Sequence, residues 1–281
     1  HITGRDLVLS SGYHGWADWT IGKDRVRNSG VPIIGRTLTT ILDPGDMDLA
    51  MDCLGSKQYA CVIIEPDGWS DLQRIRSLCD ETGTILIFDE IITGFRVRLG
   101  GVQEESGVTP DLATFGKAMA NGMPISAIVG KKKYMEKMDE ICFSGTFFGE
   151  ALSLAASIAT IEKLKKENVL KKIDGRNCEI ALFVGDLCEK EGLDFLKVHD
   201  PGLSRIEFKP IADLTKEETK TLFIQEMIAN GVLIIASHNF CFAHTDNDLE
   251  RIKNAYRRTF EVFKGQSLKG LIKGKAIEAT A

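Results

Sequence analysis

Residues 85–122 read ILIFDEIITGFRVRLGGVQEESGVTPDLATFGKAMANG and contain two short apolar runs, each followed by polar residues. The run over residues 85–88 is continuously apolar and follows Gly83, a pattern typical of a strand buried on both faces of a parallel sheet. Asp89 and Glu90 come next, so they are predicted to lie at the carboxyl end of that strand. Ligands of open α/β sheets bind at this edge.

A second strand is predicted over residues 112–115, and Gly116 and Lys117 follow it. The small residues and the glycine between Ala118 and Pro124 allow a backbone to come close to a ligand. We expect a lysine in this setting to be partly desolvated. Desolvation lowers the pKa of an amine, and an unprotonated amine forms a Schiff base with an aldehyde.

Apolar runs alternate with helix-like segments along the first half of the chain, which is the order expected of an α/β sheet. Strands are predicted over residues 7–9, 61–64, 85–88, 112–115 and 126–129, with a helix over residues 71–82. We place a domain change at residue 174. This gives a large domain over residues 1–174 and a small α+β domain over residues 175–281.

The small domain is predicted to contain strands over residues 203–208 and 232–235 and to end in an amphipathic helix. Thr245 and Asp248 resemble a capping box at the start of that helix, with aspartate in place of the usual glutamate. The tail from Gly265 is rich in glycine, lysine and alanine, so we expect it to be poorly packed.

Composition narrows the classes of function. The 281 residues have a formal net charge of -5, which argues against nucleic acid as a partner because no basic face would offset phosphate repulsion. The seven cysteines form no CxxC pair, which indicates reduced thiols and gives no support for a metal site. No apolar run approaches the roughly 18 residues of a membrane span, and the start HITGRD is not a signal peptide. We therefore expect a cytoplasmic protein.

Seven blocks of this sequence resemble, in family order, the class III, fold-type I pyridoxal-phosphate aminotransferases, including the glutamate-1-semialdehyde 2,1-aminomutase branch. They cover nearly the whole chain, so together they are far more specific than a lone DE or GK pair. The blocks are TGRD (3–6), GYHGWADW (12–19), IIEP (63–66), LIFDEIITGFR (86–96), TPDLATFGKAMANGMPISAIVG (109–130), SGTFFGEALSLAA (144–156) and SHNFCFAHTDNDLERI (237–252).

The resemblance implies a large domain with a mostly parallel sheet, a small α+β domain at the carboxyl end, and pyridoxal 5′-phosphate (PLP) as cofactor. It further implies that Lys117 forms the Schiff base with PLP and then moves the substrate proton, and that Asp89 pairs with the pyridinium nitrogen. The amino group would thus be moved through this Schiff base and a quinonoid intermediate.

The remaining cofactor contacts also follow from the resemblance. Tyr13 would stack on one face of the cofactor ring, Ile91 would pack on the other, and His14 would be a further cofactor-binding residue. Thr146 would reach the cofactor phosphate of the neighbouring subunit. The expected assembly is therefore a homodimer with shared active sites that acts on a small amino or keto compound.

Each position also has a structural interpretation. Asp89 and Glu90 could be a solvated strand end or a helix N-cap, and His14 could simply donate to a carbonyl. Lys117 could be a solvated surface charge, and Thr146 a plain turn residue beside Gly145.

Two further residues keep both interpretations. Glu65, after the strand over residues 61–64, is a site residue or, preferentially, a local salt-bridge partner. Arg96 binds a substrate carboxylate through its planar fork or pairs with a nearby acid.

Members of the family that this sequence resembles carry a segment before TGRD that includes the phosphate-binding loop. The present chain starts immediately after that segment. The alternatives to an aminotransferase or aminomutase are therefore a fold-type I PLP enzyme of another reaction type, or a truncated relative that binds or dimerises without catalysis.

Overall fold

The computed structural model describes residues 1–21, 28–199 and 203–277. The chain packs into two compact units, the first from His1 to Lys165 and the second from Lys166 onward. The domain change predicted at residue 174 lies inside the helix Val169–Glu191, which belongs to the second unit.

Within the described residues, six strands form the sheet of the first unit, in the order β2-β1-β3-β4-β5-β6. They are β1 (Leu7–Ser11), β2 (Thr39–Ile41), β3 (Tyr59–Ile64), β4 (Ile85–Asp89), β5 (Leu112–Phe115) and β6 (Ala127–Gly130). All neighbouring pairs are parallel except β5 and β6, which are antiparallel. The mostly parallel sheet predicted from the sequence is confirmed, and β2 is an addition to it.

The helices of the first unit are α1 (Asp18–Ile21), α2 (Ile33–Thr37), α3 (Met47–Gly55), α4 (Leu72–Thr82), α5 (Val102–Ser106), α6 (Lys132–Met135) and α7 (Ala151–Lys166). Short 3-10 turns occur at Pro66–Gly68, Lys117–Met119 and Glu136–Glu140. The helix predicted over residues 71–82 is α4. Its N-cap is Asp71, which accepts from the amide of Arg74 at 2.8 Å, and Gly83 ends it in the left-handed conformation at φ 68°.

The core of the first unit lies between the sheet and the helices α3 and α4. Leu54, Ile75 and Cys79 of the helices belong to the same buried cluster as Leu86 and Phe88 of β4. The strands with the longest apolar runs, β3 and β4, therefore lie at the centre of the sheet. The polar residues that follow them lie at its carboxyl edge.

Asp111, immediately before β5, ties the amino-terminal edge of this sheet together. Its Oδ2 accepts from the amide of Leu86 and from Nη1 of Arg76, both at 2.9 Å, and its Oδ1 accepts from Nζ of Lys131 at 2.7 Å. Burial alone would raise the pKa of Asp111, but these donors and the two positive charges hold it below its usual value. One buried carboxylate thus links α4, β4, β5 and the residue after β6.

The second unit is an α+β arrangement. It contains α8 (Val169–Glu191), β7 (Leu196–Val198), β8 (Ile206–Phe208), α9 (Lys216–Ala229), α10 (Asp246–Phe263) and a 3-10 turn at Lys269–Leu271. The strands β7 and β8 pair antiparallel. Both components of the predicted capping box are present at the start of α10, where Thr245 and Asp248 bond reciprocally.

One prediction for the second unit is wrong. Residues 232–235, predicted as a strand, form none, and Leu233 and Ile235 are 87% and 67% exposed. The chain pairs with β8 only beyond this run, where the amide of Ile206 donates to the carbonyl of Ala236 at 2.9 Å. This run has no partner strand among the described residues, and the amide of Val232 donates instead to the carbonyl of Met227 at 2.9 Å.

The tail from Gly265 is mostly exposed, as the sequence predicts, and is held at a few points. Leu268 is buried, and its amide donates to Oδ1 of Asp213 at 2.8 Å. Further along, the amide of Lys273 donates to Oε1 of Gln225 at 2.8 Å. Most other residues from 265 to 277 are exposed, and residues 278–281 lie outside the described residues.

Candidate active site

Four parallel strands end at one edge of the sheet and bring the predicted site residues there. β1 pairs with β3, β3 with β4, and β4 with β5, all in the parallel sense. Tyr13 and His14 follow β1, Glu65 follows β3, Asp89 ends β4, and Lys117 follows β5. This is the carboxyl edge, where ligands bind in open α/β sheets.

Asp89 is the most constrained of these side chains. Its Oδ1 accepts from the amide of Ile91 and from Oγ1 of Thr114, both at 3.1 Å, and its Oδ2 lies 2.7 Å from Nδ1 of His14. Burial raises the pKa of Asp89, but the hydrogen bond and charge of His14, with the other two donors, bring it below its usual value. Asp89 is therefore a buried carboxylate that stays ionised.

Both ring nitrogens of His14 have hydrogen-bond partners, and one of these partners is the Asp89 carboxylate. Nδ1 faces Oδ2 of Asp89, and Nε2 lies 3.0 Å from the carbonyl oxygen of Ser11. A carbonyl oxygen and a carboxylate both accept hydrogen bonds, so both ring nitrogens of His14 face acceptors. The ring also stacks on Trp19, with 6.4 Å between centroids. His14 donates to a carbonyl, as its structural interpretation predicts, and contacts Asp89 as well.

Lys117 occupies a strained backbone position. Its φ of 42° lies in the left-handed region, which is costly for a residue with a side chain and is concentrated at functional sites. The preceding Gly116 packs closely, since a Cβ there would lie 3.1 Å from Cδ1 of Ile91. Ile91 is thus adjacent to the turn that presents Lys117. The sequence predicted partial desolvation of this lysine, but its side chain is exposed in the chain.

Tyr13 and Glu65 meet at the neighbouring strand ends. The amide of Tyr13 donates to Oε1 of Glu65 at 3.2 Å, while the Tyr13 residue is 53% exposed. Among the described residues Glu65 bonds to this backbone and to no basic side chain, so the salt-bridge interpretation is wrong for the described part of the chain.

Glu90 turns away from the edge and anchors the loop after β4. Its carboxylate accepts from the amides of Val102 at 3.0 Å and Gln103 at 2.9 Å and from the hydroxyl of Thr93, and the residue is fully buried. A helix-cap interpretation therefore describes Glu90, at the start of α5, but not Asp89. Arg96 is half-buried in the same loop, and both its contact with a substrate and its pairing with an acid stay predictions.

Thr146 lies far along the chain in an exposed segment. Every residue from Ile141 to Glu150 is exposed, and Phe147 beside Thr146 is 81% exposed. The position of Thr146 does not decide between a turn residue and a contact to a neighbouring subunit.

Several supporting residues were missed from the sequence. Thr114 and Ser11 bond to Asp89 and His14, and the register Asp89↔Thr114 between parallel strands is the signal that could have revealed Thr114. Over residues 1–21, 28–199 and 203–277, no group of three or more potential ligands is suited to a metal ion. No helix in the same ranges is long and apolar enough to cross a membrane.

The fold and the edge together define an α/β protein that presents an ionised carboxylate and a lysine where such sheets bind ligands. The family model described as aminotransferase class-III matches residues 60–245, and the chain belongs to that family. The class III resemblance seen in the sequence is confirmed, as is the glutamate-1-semialdehyde aminomutase-like relation.

Individual relatives fall into two groups of enzymes. The chain is 32% identical over 274 residues to 3-aminobutyryl-CoA aminotransferase of Cloacimonas acidaminovorans, covering 92% of this chain and 65% of the relative. It is 30% identical over 291 residues to glutamate-1-semialdehyde 2,1-aminomutase of Methanococcus maripaludis, covering 90% of this chain and 67% of the relative. The chain thus spans about two thirds of the length of these curated relatives.

Solved structures agree with this placement. The FumI protein of Sphingopyxis sp. MTA144, solved in a PLP form, matches with a TM-score of 0.82 and 25% identity, covering 92% of this chain and 65% of that chain. An omega-transaminase from Sphaerobacter thermophilus has the same fold, with a TM-score of 0.82 and 22% identity over 94% of this chain and 70% of its own. The fold-type I prediction is confirmed, and PLP is the cofactor that the family and these structures indicate.

The residues at the edge fit this cofactor chemically. A protonated pyridine nitrogen needs a buried, ionised acceptor, and Oδ2 of Asp89 accepts one bond from His14 and retains a second lone pair. Lys117 supplies a primary amine beyond the neighbouring strand. Ile91 packs closely against Gly116, the residue before Lys117.

Proposed function

We propose that this chain belongs to a PLP-dependent aminotransferase or aminomutase that moves an amino group on a small amino or keto compound. The observation that carries the proposal is the pair of strand ends at which an ionised Asp89 and a strained Lys117 follow adjacent parallel strands. The relatives include both an aminotransferase and aminomutases, and both groups support amino-group chemistry.

When bound, PLP supplies an aldehyde that reacts with amines and a protonated ring that withdraws electrons from the substrate. In this proposal Asp89 faces the ring nitrogen and keeps its proton there, because His14 keeps the carboxylate charged. Tyr13 and Ile91 pack against the two ring faces. Lys117 binds the cofactor through its amine and, when free, takes and returns a proton at the substrate carbon.

The two units take different roles in this proposal. The first, with the large sheet, is the PLP-binding domain, and the second is the smaller carboxyl-terminal domain. A cytoplasmic location is part of the same proposal. The seven free cysteines, three of them exposed, support it, because such thiols persist in a reducing compartment.

A homodimer completes the proposal. The face of α7 that packs on its own unit presents Ser153 and Ser157, while Leu152 and Ile158 are 64% and 62% exposed. Together with the exposed Phe147, these side chains form an apolar surface suited to burial against a second copy. Thr146 lies beside this surface, so in a dimer it reaches the cofactor phosphate held by the other copy.

Borohydride trapping tests the proposal directly. Purified protein is mixed with PLP, reduced with borohydride, digested, and the modified peptide is identified by mass spectrometry. We expect one dominant adduct, on Lys117, in the parent chain and none in Lys117→Ala. Lys132→Ala is the matched control, because Lys132 is an exposed lysine whose side chain is 87% accessible.

A parent chain that gives no adduct, or gives it equally on surface lysines, contradicts the proposal. Addition of L-alanine or L-glutamate to the PLP-loaded protein then tests the reaction type. Conversion of bound PLP to its pyridoxamine form supports amino transfer, whereas release of carbon dioxide or inversion of the amino acid without that conversion would indicate another PLP reaction.

A further inference from the structure

Glu65 lies where two neighbouring strands end. β1 and β3 run parallel with Ser11 in register with Ile64, so the residues after each strand emerge side by side. Oε1 of Glu65 accepts from the amide of Tyr13 at 3.2 Å across this boundary. The half-buried carboxylate of Glu65 thus forms a hydrogen bond with the backbone of Tyr13, the residue proposed to stack on the cofactor ring.

Gly12 makes this contact possible. Its φ of +100° suits glycine, and a Cβ at this position would lie 2.8 Å from both Cγ and Cδ of Glu65. Such a separation is shorter than van der Waals contact. The side chain of Glu65 therefore packs directly against the bare backbone of Gly12, and the turn between β1 and Tyr13 is shaped around it.

The electrostatic surroundings of Glu65 also indicate a local role. Burial, the largest influence, raises the pKa of Glu65 above its usual value, and the charges of Asp67 and Asp89 add to the rise. The amide of Tyr13 and the charge of His14 oppose it. Protonated or ionised, Glu65 keeps an oxygen that accepts from the amide.

We propose that Glu65 is a positioning residue that fixes the turn of Gly12 and Tyr13, so that the aromatic ring is already oriented when the cofactor binds. The inference rests on the proposed function. Tyr13 is more than half exposed, and without this anchor its segment would have to be ordered during binding, at a cost in affinity.

The first experiment measures PLP affinity by absorbance titration of the full chain. We expect Glu65→Ala to raise the apparent dissociation constant about tenfold, because the acceptor for the Tyr13 amide is lost. Glu65→Gln keeps an acceptor oxygen and should stay within about twofold of the parent. Glu81→Gln is the matched control, since Glu81 is an exposed carboxylate of α4.

The second experiment reads the ring environment rather than the affinity. At saturating PLP, the visible circular dichroism of the bound cofactor reports the asymmetry around its ring. Loss of a freely placed surface charge does not move this signal. We expect it to change in Glu65→Ala and to be restored in Glu65→Gln.

A third pair of variants separates crowding from backbone strain. Gly12→Ala adds a methyl group against Glu65, whereas Gly30→Ala has a similar φ of +87° but meets nothing within 4 Å. We expect Gly12→Ala to weaken PLP binding and Gly30→Ala to leave it within about twofold. In a Glu65→Ala background, Gly12→Ala should weaken PLP binding less than it does in the parent chain, because the side-chain atoms that its methyl group would crowd are absent.

The outcomes distinguish the role proposed for Glu65 from the proposed PLP-dependent function on which it rests. A parent chain that binds no PLP removes the proposed function and this inference with it. A parent chain that binds PLP while Glu65→Ala binds equally well overturns the inference alone. Equal losses in Glu65→Ala and Glu65→Gln also overturn it, because the acceptor would then not be what matters. If Glu65→Ala does not fold, Glu65→Gln and the glycine pair decide.

Discussion

Nδ1 of His14 lies 2.7 Å from Oδ2 of Asp89, and the His14 side chain is 2% exposed. Burial by itself would favour the protonated acid, but the hydrogen bond and charge of His14 help to bring the pKa of Asp89 below its usual value. The carboxylate therefore remains available to a cationic partner.

Replacing His14 should weaken this arrangement. In His14→Leu the pKa of Asp89 rises, so the loss of PLP binding on the acid side should move to higher pH. At neutral pH we expect the apparent dissociation constant to rise about tenfold, equivalent to about 1.4 kcal/mol. Absorbance titrations over pH measure both effects. His199→Leu, an exposed histidine in the second unit, is the control, and identical pH curves for the two variants would contradict the prediction.

Asp89→Asn keeps the shape of the side chain and removes its charge. The ring nitrogen would then lose its anionic partner, so we expect the rate of pyridoxamine formation from bound PLP to fall about 100-fold, or about 2.7 kcal/mol. Stopped-flow absorbance with excess L-alanine or L-glutamate gives that rate. Asp52→Asn, at an exposed position of α3, should react like the parent. A rate in Asp89→Asn within threefold of the parent would remove Asp89 from the proposed mechanism.

Gly101→Ala should destabilise the loop that follows β4. A Cβ there would lie 2.1 Å from Oε2 of Glu90, at a backbone φ of +79°. We expect the free energy of unfolding to fall by about 3 kcal/mol from overpacking. Gly107→Ala is the comparison variant, because its φ is +71° and nothing lies within 4 Å, although its ψ of 7° differs from the -156° of Gly101. It should cost about 1 kcal/mol, the left-handed penalty alone. Urea unfolding measures both, and equal losses would show that Glu90 does not set the conformation here.

His238 should make the stability of the second unit depend on pH. Nδ1 lies 2.9 Å from Oγ of Ser204, Nε2 lies 2.8 Å from the hydroxyl of Tyr256, and burial lowers the pKa of His238 from 6.5 to about 4. Above pH 6.5 neither the folded nor the unfolded chain binds this proton. As the pH falls toward 4, only the unfolded chain binds it, so stability decreases by about 3 kcal/mol and then levels off.

The variant His238→Gln retains a polar side chain and does not titrate in this range. The difference in unfolding free energy between the parent and His238→Gln should therefore shrink by about 3 kcal/mol from pH 7 to pH 4. Denaturant titrations followed by circular dichroism at several pH values give this difference. His199→Gln provides the exposed control, and a constant difference for His238→Gln would contradict the prediction.

The sheet, and the placement of Asp89 and Lys117 at one edge of it, could be predicted because both depend on order along the chain. Apolar runs long enough to be buried on both faces predicted β4 and β5, and parallel strands bring their following residues to one edge. Asp89 and Lys117 follow from that rule. The family blocks then supplied their roles, which the order alone does not give.

The supporting contacts could not be predicted because they depend on registers and side-chain directions. Asp89 and Glu90 are adjacent in sequence, yet one faces the carboxyl edge and the other caps α5. The strand expected over residues 232–235 failed because a local apolar pattern does not supply a partner strand. The tail is mostly exposed, as expected, but its composition did not reveal the backbone bonds to Asp213 and Gln225.

The buried cluster at Asp111 has a consequence for how this sheet tolerates change. Asp111, Arg76 and Lys131 close the amino-terminal ends of the strands, whereas Asp89 and Lys117 lie at the opposite ends. The buried charge cluster and the residues proposed to bind the cofactor thus lie at opposite rims of one sheet. If the proposed function holds, substitutions at the carboxyl rim would alter which compound is accepted without touching the hydrogen bonds of Asp111 at the other rim.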